Sequence, residues 1–145
     1  MRPSLVIFDC DGVLVDSEPI TNRLLREDLA ARGLDLTLER IEEIFVGGTM
    51  ATVFENARAL GADLPDDWVD WFYEQMYAEL AKGTPLIEGI EDVLDQLDAA
   101  GIPYAVGSNG SLRKMSITLG SHPALHARLK DALYSAHALG VAKPD

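Results

Sequence analysis

The stretch Leu5-Val6-Ile7-Phe8-Asp9-Cys10-Asp11-Gly12 constrains the fold of this chain more than any other. A short, continuous apolar run bounded by a turn signal reads as a strand buried on both faces, the condition of a parallel sheet. Side chains alternate along a strand, so Asp9 and Asp11 share a side if the extended chain continues past Phe8. Two carboxylates placed together repel each other and lose water. A divalent cation relieves both problems, and Mg²⁺ suits the donors because it takes oxygen ligands and keeps waters that a phosphate can replace. The competing reading is a strand that ends in a solvated acidic turn, since Asp-Gly is an ordinary turn dipeptide.

Beyond Asp16 the periodicity becomes helical. Ser17 is a capping residue and Pro19 falls in the first turn, where its missing N–H costs nothing. Ile20, Leu24, Leu25 and Leu29 make one face, and Gly33 stops the helix. Thr37 opens a second helix with Leu38, Ile41, Ile44 and Phe45 inward. Gly47-Gly48 breaks it, and Thr49 caps a third with Val53, Phe54, Ala57 and Leu60. Pro65-Asp66 starts a fourth, where Trp68, Phe72, Met76 and Leu80 recur every four residues up to Lys82-Gly83. Residues 17–84 therefore read as an all-helical insert, and its aromatic stripe (Trp68, Trp71, Phe72, Tyr73, Tyr77) as bundle core. The helix over 89–100 and the strand over 102–107 that follow read as a return to α/β structure. Ser108-Asn109-Gly110-Ser111 stands at the carboxyl end of that strand, where open parallel sheets place ligands. A helix from Ser111 to about Leu119, a short one over 125–129 and a strand over 132–136 complete the pattern. His122 and His126 have the spacing of a helical metal pair, but Pro123 separates them and they read as surface residues.

Size and charge narrow the class. The 145 residues fit one domain, or a modest core with an insert. Twelve basic against 24 acidic residues give a net charge of −12, so the electrostatic footprint of nucleic-acid binding is missing. No run has the length of a transmembrane helix. The single cysteine, Cys10, excludes an internal disulfide and fits a cytoplasmic setting. Its neighbouring carboxylates disfavour a thiolate, which makes it a structural residue.

Phe8-Asp9-x-Asp11-Gly12-Val13-x-x-Asp16-Ser17 resembles the first motif of the haloacid dehalogenase superfamily, in its phosphatase and β-phosphoglucomutase-like branch. Ser108-Asn109 at a strand end resembles the second motif, and Lys143-Pro144 the start of the third. The resemblance implies an α/β fold: a Rossmann-like parallel sheet core over residues 1–16 and 85–145, with a helical cap over 17–84. It implies Mg²⁺ as cofactor, with Asp9 and Asp11 as metal ligands. Asp9 is then the nucleophile that takes up the phosphoryl group and Asp11 the general acid/base. Ser108 and Asn109 bind phosphate, and Lys143 holds it while offsetting the charge of Asp9. Gly47 and Gly48 resemble the cap loop that reaches toward the substrate, although a plain helix stop accounts for them equally.

The expected substrate is a small phosphorylated metabolite such as a sugar phosphate, with neither nucleic acid nor membrane as partner. Hydrolysis and phosphomutase chemistry share the Asp9 intermediate and stay open alternatives, as does a non-catalytic binding domain. Dehalogenases proper lack the second acid that Asp11 provides. The acidic fourth motif of the family has no counterpart before residue 145. This reading therefore expects a truncated chain, with the first strand left as an exposed apolar edge.

Overall fold

The computed structural model describes residues 1–45 and 48–144. They fall into two compact units, one of residues 1–17 together with the chain from Leu80 onward, the other Glu18–Glu79.

The inserted segment is helical throughout, with Glu18–Ala31 (α1), Leu38–Phe45 (α2), Met50–Ala59 (α3) and Trp68–Ala81 (α4). Leu25 and Leu29 of α1, Ile41 and Phe45 of α2, and Val53 and Ala57 of α3 are buried, as the helical spacing requires. Gly33 follows α1 at φ +89°, a left-handed conformation open to glycine without a Cβ penalty. Thr49 caps α3 by accepting from the Thr52 N–H at 3.3 Å. Leu38 and Leu60 depart from expectation and stay exposed: Leu38 opens α2 and Leu60 lies one residue beyond α3, so neither belongs to a packed turn.

The stripe of α4 is core in its main part. Trp68, Phe72 and Met76 are buried, and Trp68 stacks between Phe54 and Phe72 at centroid distances of 6.2 and 5.1 Å. The indole Nε1 of Trp68 donates to Asp28 Oδ2 at 2.7 Å, and Arg32 Nε donates to the same carboxylate at 3.0 Å. Trp71, read as core from its place in the stripe, is instead exposed. It carries the Arg32 guanidinium 4.9 Å above its ring.

In the other unit Val6–Phe8 (β1), Tyr104–Ser108 (β2) and Leu133–Ser135 (β3) form one parallel sheet in the order β1-β2-β3. Phe8 pairs with Val106, and Ser108 with Ser135. Ile90–Ala99 (α5), Leu112–Gly120 (α6) and Pro123–Leu129 (α7) complete the unit. Val106, Leu94, Met115, Leu119, Leu125 and Leu129 form its core with Cys10, Leu14 and Val15 from the segment after β1. β2 starts at Tyr104 rather than Ile102 because Pro103 has no N–H for the ladder. Its carbonyl accepts from Val6 N instead.

Two expectations about β1 need revision. The strand is not buried on both faces: Ile7 is 66% exposed, and Tyr134 of β3 is exposed with it. The opposite face carries Phe8, Tyr104, Val106 and Leu133 against the helices. Among the described residues β1 pairs with β2 alone and is an edge strand, the apolar edge that the family resemblance implied. The extended chain also ends at Phe8, so strand alternation does not govern Asp9 and Asp11. His122 is likewise not a surface residue; it is half-buried and its Nε2 donates to the Thr84 carbonyl at 2.6 Å.

Candidate active site

After Phe8 the main chain folds into a tight loop. The N–H groups of Val13, Leu14 and Val15 converge on the Cys10 carbonyl, and Gly12, at φ +77°, donates back to Val15 O at 2.8 Å. Val15 then bridges to Leu86 and Asp16 N donates to Pro85 O, which fastens this loop to the segment returning from the insert. Cys10 is buried beneath it. Desolvation, reinforced by the charge of Asp11, pushes its thiol up to about 12, so the structural reading of Cys10 stands on burial.

Asp9 and Asp11 project from this loop, and each meets a lysine. Asp9 Oδ1 accepts from Cys10 N at 2.8 Å and lies 3.1 Å from Lys143 Nζ. Asp11 Oδ1 accepts from the Ser17 hydroxyl at 2.6 Å, while its Oδ2 lies 3.3 Å from Lys114 Nζ. The repulsion that pointed from the sequence toward a cation is thus met inside the chain by two ammonium groups. The two pairs differ in setting. Asp9 and Lys143 are nearly half exposed and screened by water, whereas Asp11 and Lys114 retain about a fifth of their side-chain exposure.

The carboxyl end of β2 supplies the neighbouring groups. Ser108 is buried, and its Oγ accepts from Gly110 N at 3.0 Å. Asn109 Oδ1 accepts from Lys143 N at 2.7 Å, and Lys143 Nζ donates to Gly107 O at 3.0 Å. Lys143 is therefore held by β2 while its charge faces the residue after β1. A Cβ built on Gly110 would stand 3.3 Å from Ser108 Oγ, 3.5 Å from Asp11 Oδ2 and 3.5 Å from Lys114 Cδ. Gly110 is the point around which Ser108, Asp11 and Lys114 gather. The end of β3 closes the arrangement, with the Ser135 hydroxyl donating to Gly110 O at 2.6 Å.

The structure so brings Asp9, Asp11, Ser108, Asn109 and Lys143 to the carboxyl ends of adjacent parallel strands. Gly47 lies outside the described residues. Lys114 and Ser135 were missed in the sequence. Lys114 left one signal there: a cation in the first turn of a helix opposes the helix dipole and needs another reason to be there. Ser17 was read only as a helix cap, but its hydroxyl is engaged by Asp11.

Asp9 and Asp11 are oxygen donors of the kind a magnesium ion takes, although each also faces a lysine. Among the described residues no group of three or more His, Cys, Asp or Glu side chains gathers as a metal cluster. Mg²⁺ needs only one or two carboxylates when waters and a substrate phosphate fill its other positions.

A family model for haloacid dehalogenase-like hydrolases matches residues 3–145. The chain belongs to this family. It is 31% identical to the 6-phosphogluconate phosphatase of Escherichia coli, over 99% of its own length and 64% of that protein's. It is 30% identical to the phosphoglycolate phosphatase of Xanthomonas campestris, over 74% of this chain and 49% of that one. A haloacid dehalogenase-like protein of unknown function from Agrobacterium tumefaciens has the same fold. The TM-score is 0.87 at 28% identity, covering 99% of this chain and 64% of that one. This haloacid dehalogenase-like chain spans about half to two-thirds of the length of the curated relatives it matches.

Proposed function

We propose that the protein carrying this chain is a Mg²⁺-dependent phosphatase of a small phosphorylated metabolite, a sugar acid or hydroxy acid phosphate in particular. The observation that carries the reading is the approach of Lys143 Nζ to Asp9 Oδ1 at 3.1 Å, beside the Ser108-Asn109 turn. A carboxylate at a strand tip, a lysine facing it and a buried serine beside them form a site for an anion next to a nucleophile. The names of two relatives add the substrate class, since 6-phosphogluconate and phosphoglycolate are both phosphorylated carboxylic acids.

In this reading a carboxylate oxygen of Asp9 attacks phosphorus and forms an aspartyl phosphate as the ester P–O bond breaks. Asp11 gives its proton to the departing alkoxide. It then takes a proton from a water that attacks the aspartyl phosphate, which frees inorganic phosphate and restores Asp9. Ser108 and Asn109 hold the phosphoryl oxygens, and Lys143 offsets their charge. Asp9 and the Asp11 main chain would hold Mg²⁺, which supplies charge neutralisation at the phosphoryl group when bound. Gly47 belongs to the same proposal as a cap-loop contact to substrate, with residues 17–84 assigned as the cap and 1–16 with 85–145 as the core. A cytoplasmic location goes with a soluble metabolite as substrate.

Phosphate release from 6-phosphogluconate, phosphoglycolate and hexose phosphates, with Mg²⁺ and with EDTA, tests the reading. Release that needs Mg²⁺ and disappears in Asp9→Asn supports it. Isomerisation of a hexose phosphate without release would favour the mutase, and binding with no turnover would favour a non-catalytic domain.

A further inference from the structure

We propose that Lys114 is a positioning residue that holds the Asp11 carboxylate for proton transfer, an inference that rests on the phosphatase reading. Its place in the helix gives no reason for a cation. Lys114 stands in the first turn of α6, where the positive end of the helix dipole disfavours an ammonium group. That turn is already capped, because Ser111 Oγ accepts from the Lys114 N–H at 3.0 Å. The side chain is nonetheless largely withdrawn from water, with 18% of its surface exposed. A lysine side chain covered to this degree gains from a charged partner, and Asp11 Oδ2 at 3.3 Å supplies it.

The geometry at Asp11 shows what the pairing does. Ser17 engages Oδ1 and Lys114 engages Oδ2, so the carboxylate is fixed from two sides. Oδ2 and the Lys114 stem both lie 3.5 Å from the Cβ position of Gly110, and Ser108 Oγ lies 3.3 Å from it. The lysine thereby holds one oxygen of Asp11 on the side of the proposed phosphate loop. General acid/base catalysis demands that placement, because the proton must pass within hydrogen-bond reach. A displacement on the order of 1 Å costs about 10²-fold in rate.

The test uses the whole protein as wild type, Lys114→Met, Lys114→Arg, Asp11→Asn and the double variant Lys114→Met/Asp11→Asn. With Mg²⁺ and 6-phosphogluconate or glucose 6-phosphate, esters whose alkoxide must be protonated, Lys114→Met is expected to lower kcat by roughly 10- to 100-fold. KM should stay within about twofold, because the lysine acts through Asp11 and not on the ester. Lys114→Arg restores most of kcat, and Lys114→Met has no further effect in the Asp11→Asn background. An equal loss of kcat in that background overturns the inference. So does a rise in KM alone, above all one confined to carboxylate-bearing esters, which would make Lys114 a substrate contact. Thermal melts of the same variants keep the two readings apart. If the wild type turns over no ester, the phosphatase reading falls; non-additive shifts in Tm between Lys114→Met and Asp11→Asn then support the pairing, and additive shifts overturn it.

Discussion

Lys143 meets Asp9 at the carboxyl ends of β1 and β2, with Nζ 3.1 Å from Oδ1. Its main-chain N–H is tied to Asn109 and its ammonium is shared between the Gly107 carbonyl and the Asp9 carboxylate, at 3.0 and 3.1 Å. One residue thus joins the tips of β1 and β2, although 134 positions separate Lys143 from Asp9 in sequence (143 − 9). The pair is too exposed to stabilise the fold by more than about 1 kcal/mol. In the proposed reaction it places a positive charge where a phosphoryl group would meet Asp9.

Replacement of Lys143 by Met is therefore expected to lower kcat/KM by about 10²-fold, the scale seen when one preorganised charge donor is lost. Tm should move by no more than about 3 °C. Steady-state phosphate release and a melting curve on the same preparation check both halves. A large loss of Tm would show that the lysine is structural.

Gly110→Ala separates site geometry from stability. Gly110 lies outside the left-handed region, so alanine brings no backbone strain there. The new Cβ would stand 3.3 Å from Ser108 Oγ and press on Asp11 Oδ2 and Lys114. Activity is expected to fall about tenfold through misplacement by a few tenths of an ångström, with Tm nearly unchanged. Wild-type turnover by the alanine variant would remove the crowding argument.

Trp68 anchors the helical unit. Trp68→Phe keeps most of the stacking but removes the 2.7 Å donor to Asp28, and should cost about 1–2 kcal/mol. Trp68→Ala adds a cavity between Phe54 and Phe72, for a loss of about 3–5 kcal/mol. Urea unfolding of the two variants gives the comparison. Equal losses would mean that the hydrogen bond, and not the packing, sustains the site.

Cys10 sets a pH signature. Its thiol is held at about 12 in the fold, against an ordinary 9.0. Between these values the native state keeps a proton that the unfolded chain has lost, so its contribution to stability falls as pH rises above 9 and is unchanged below. The stability difference between wild type and Cys10→Ala should shrink by roughly 1 kcal/mol per pH unit in that window. At about pH 8 a thiol reagent should react with the unfolded protein and not with the native one. Rapid native labelling would contradict the burial.

Local chemistry explains which features were legible in the sequence. The four helices of the insert, the Thr49 and Ser111 caps, Gly33 as a helix stop and the apolar run of β1 all follow from patterns within a few residues, where the period of side chains and the conformational freedom of glycine act directly. The acidic pair of the first motif and the small polar turn after β2 were legible for the same reason. Tertiary structure decided the rest. Only the packing leaves one face of the sheet uncovered and Ile7 exposed on it, and only the loop that turns at Gly12 takes Asp9 and Asp11 out of strand alternation. The lysines are the clearest case: each is one charge on a flexible stem, and nothing local fixes its partner. Which carboxylate Lys114 and Lys143 meet depends on how parallel strands bring distant chain segments to one end of the sheet, and that is a property of the packed chain.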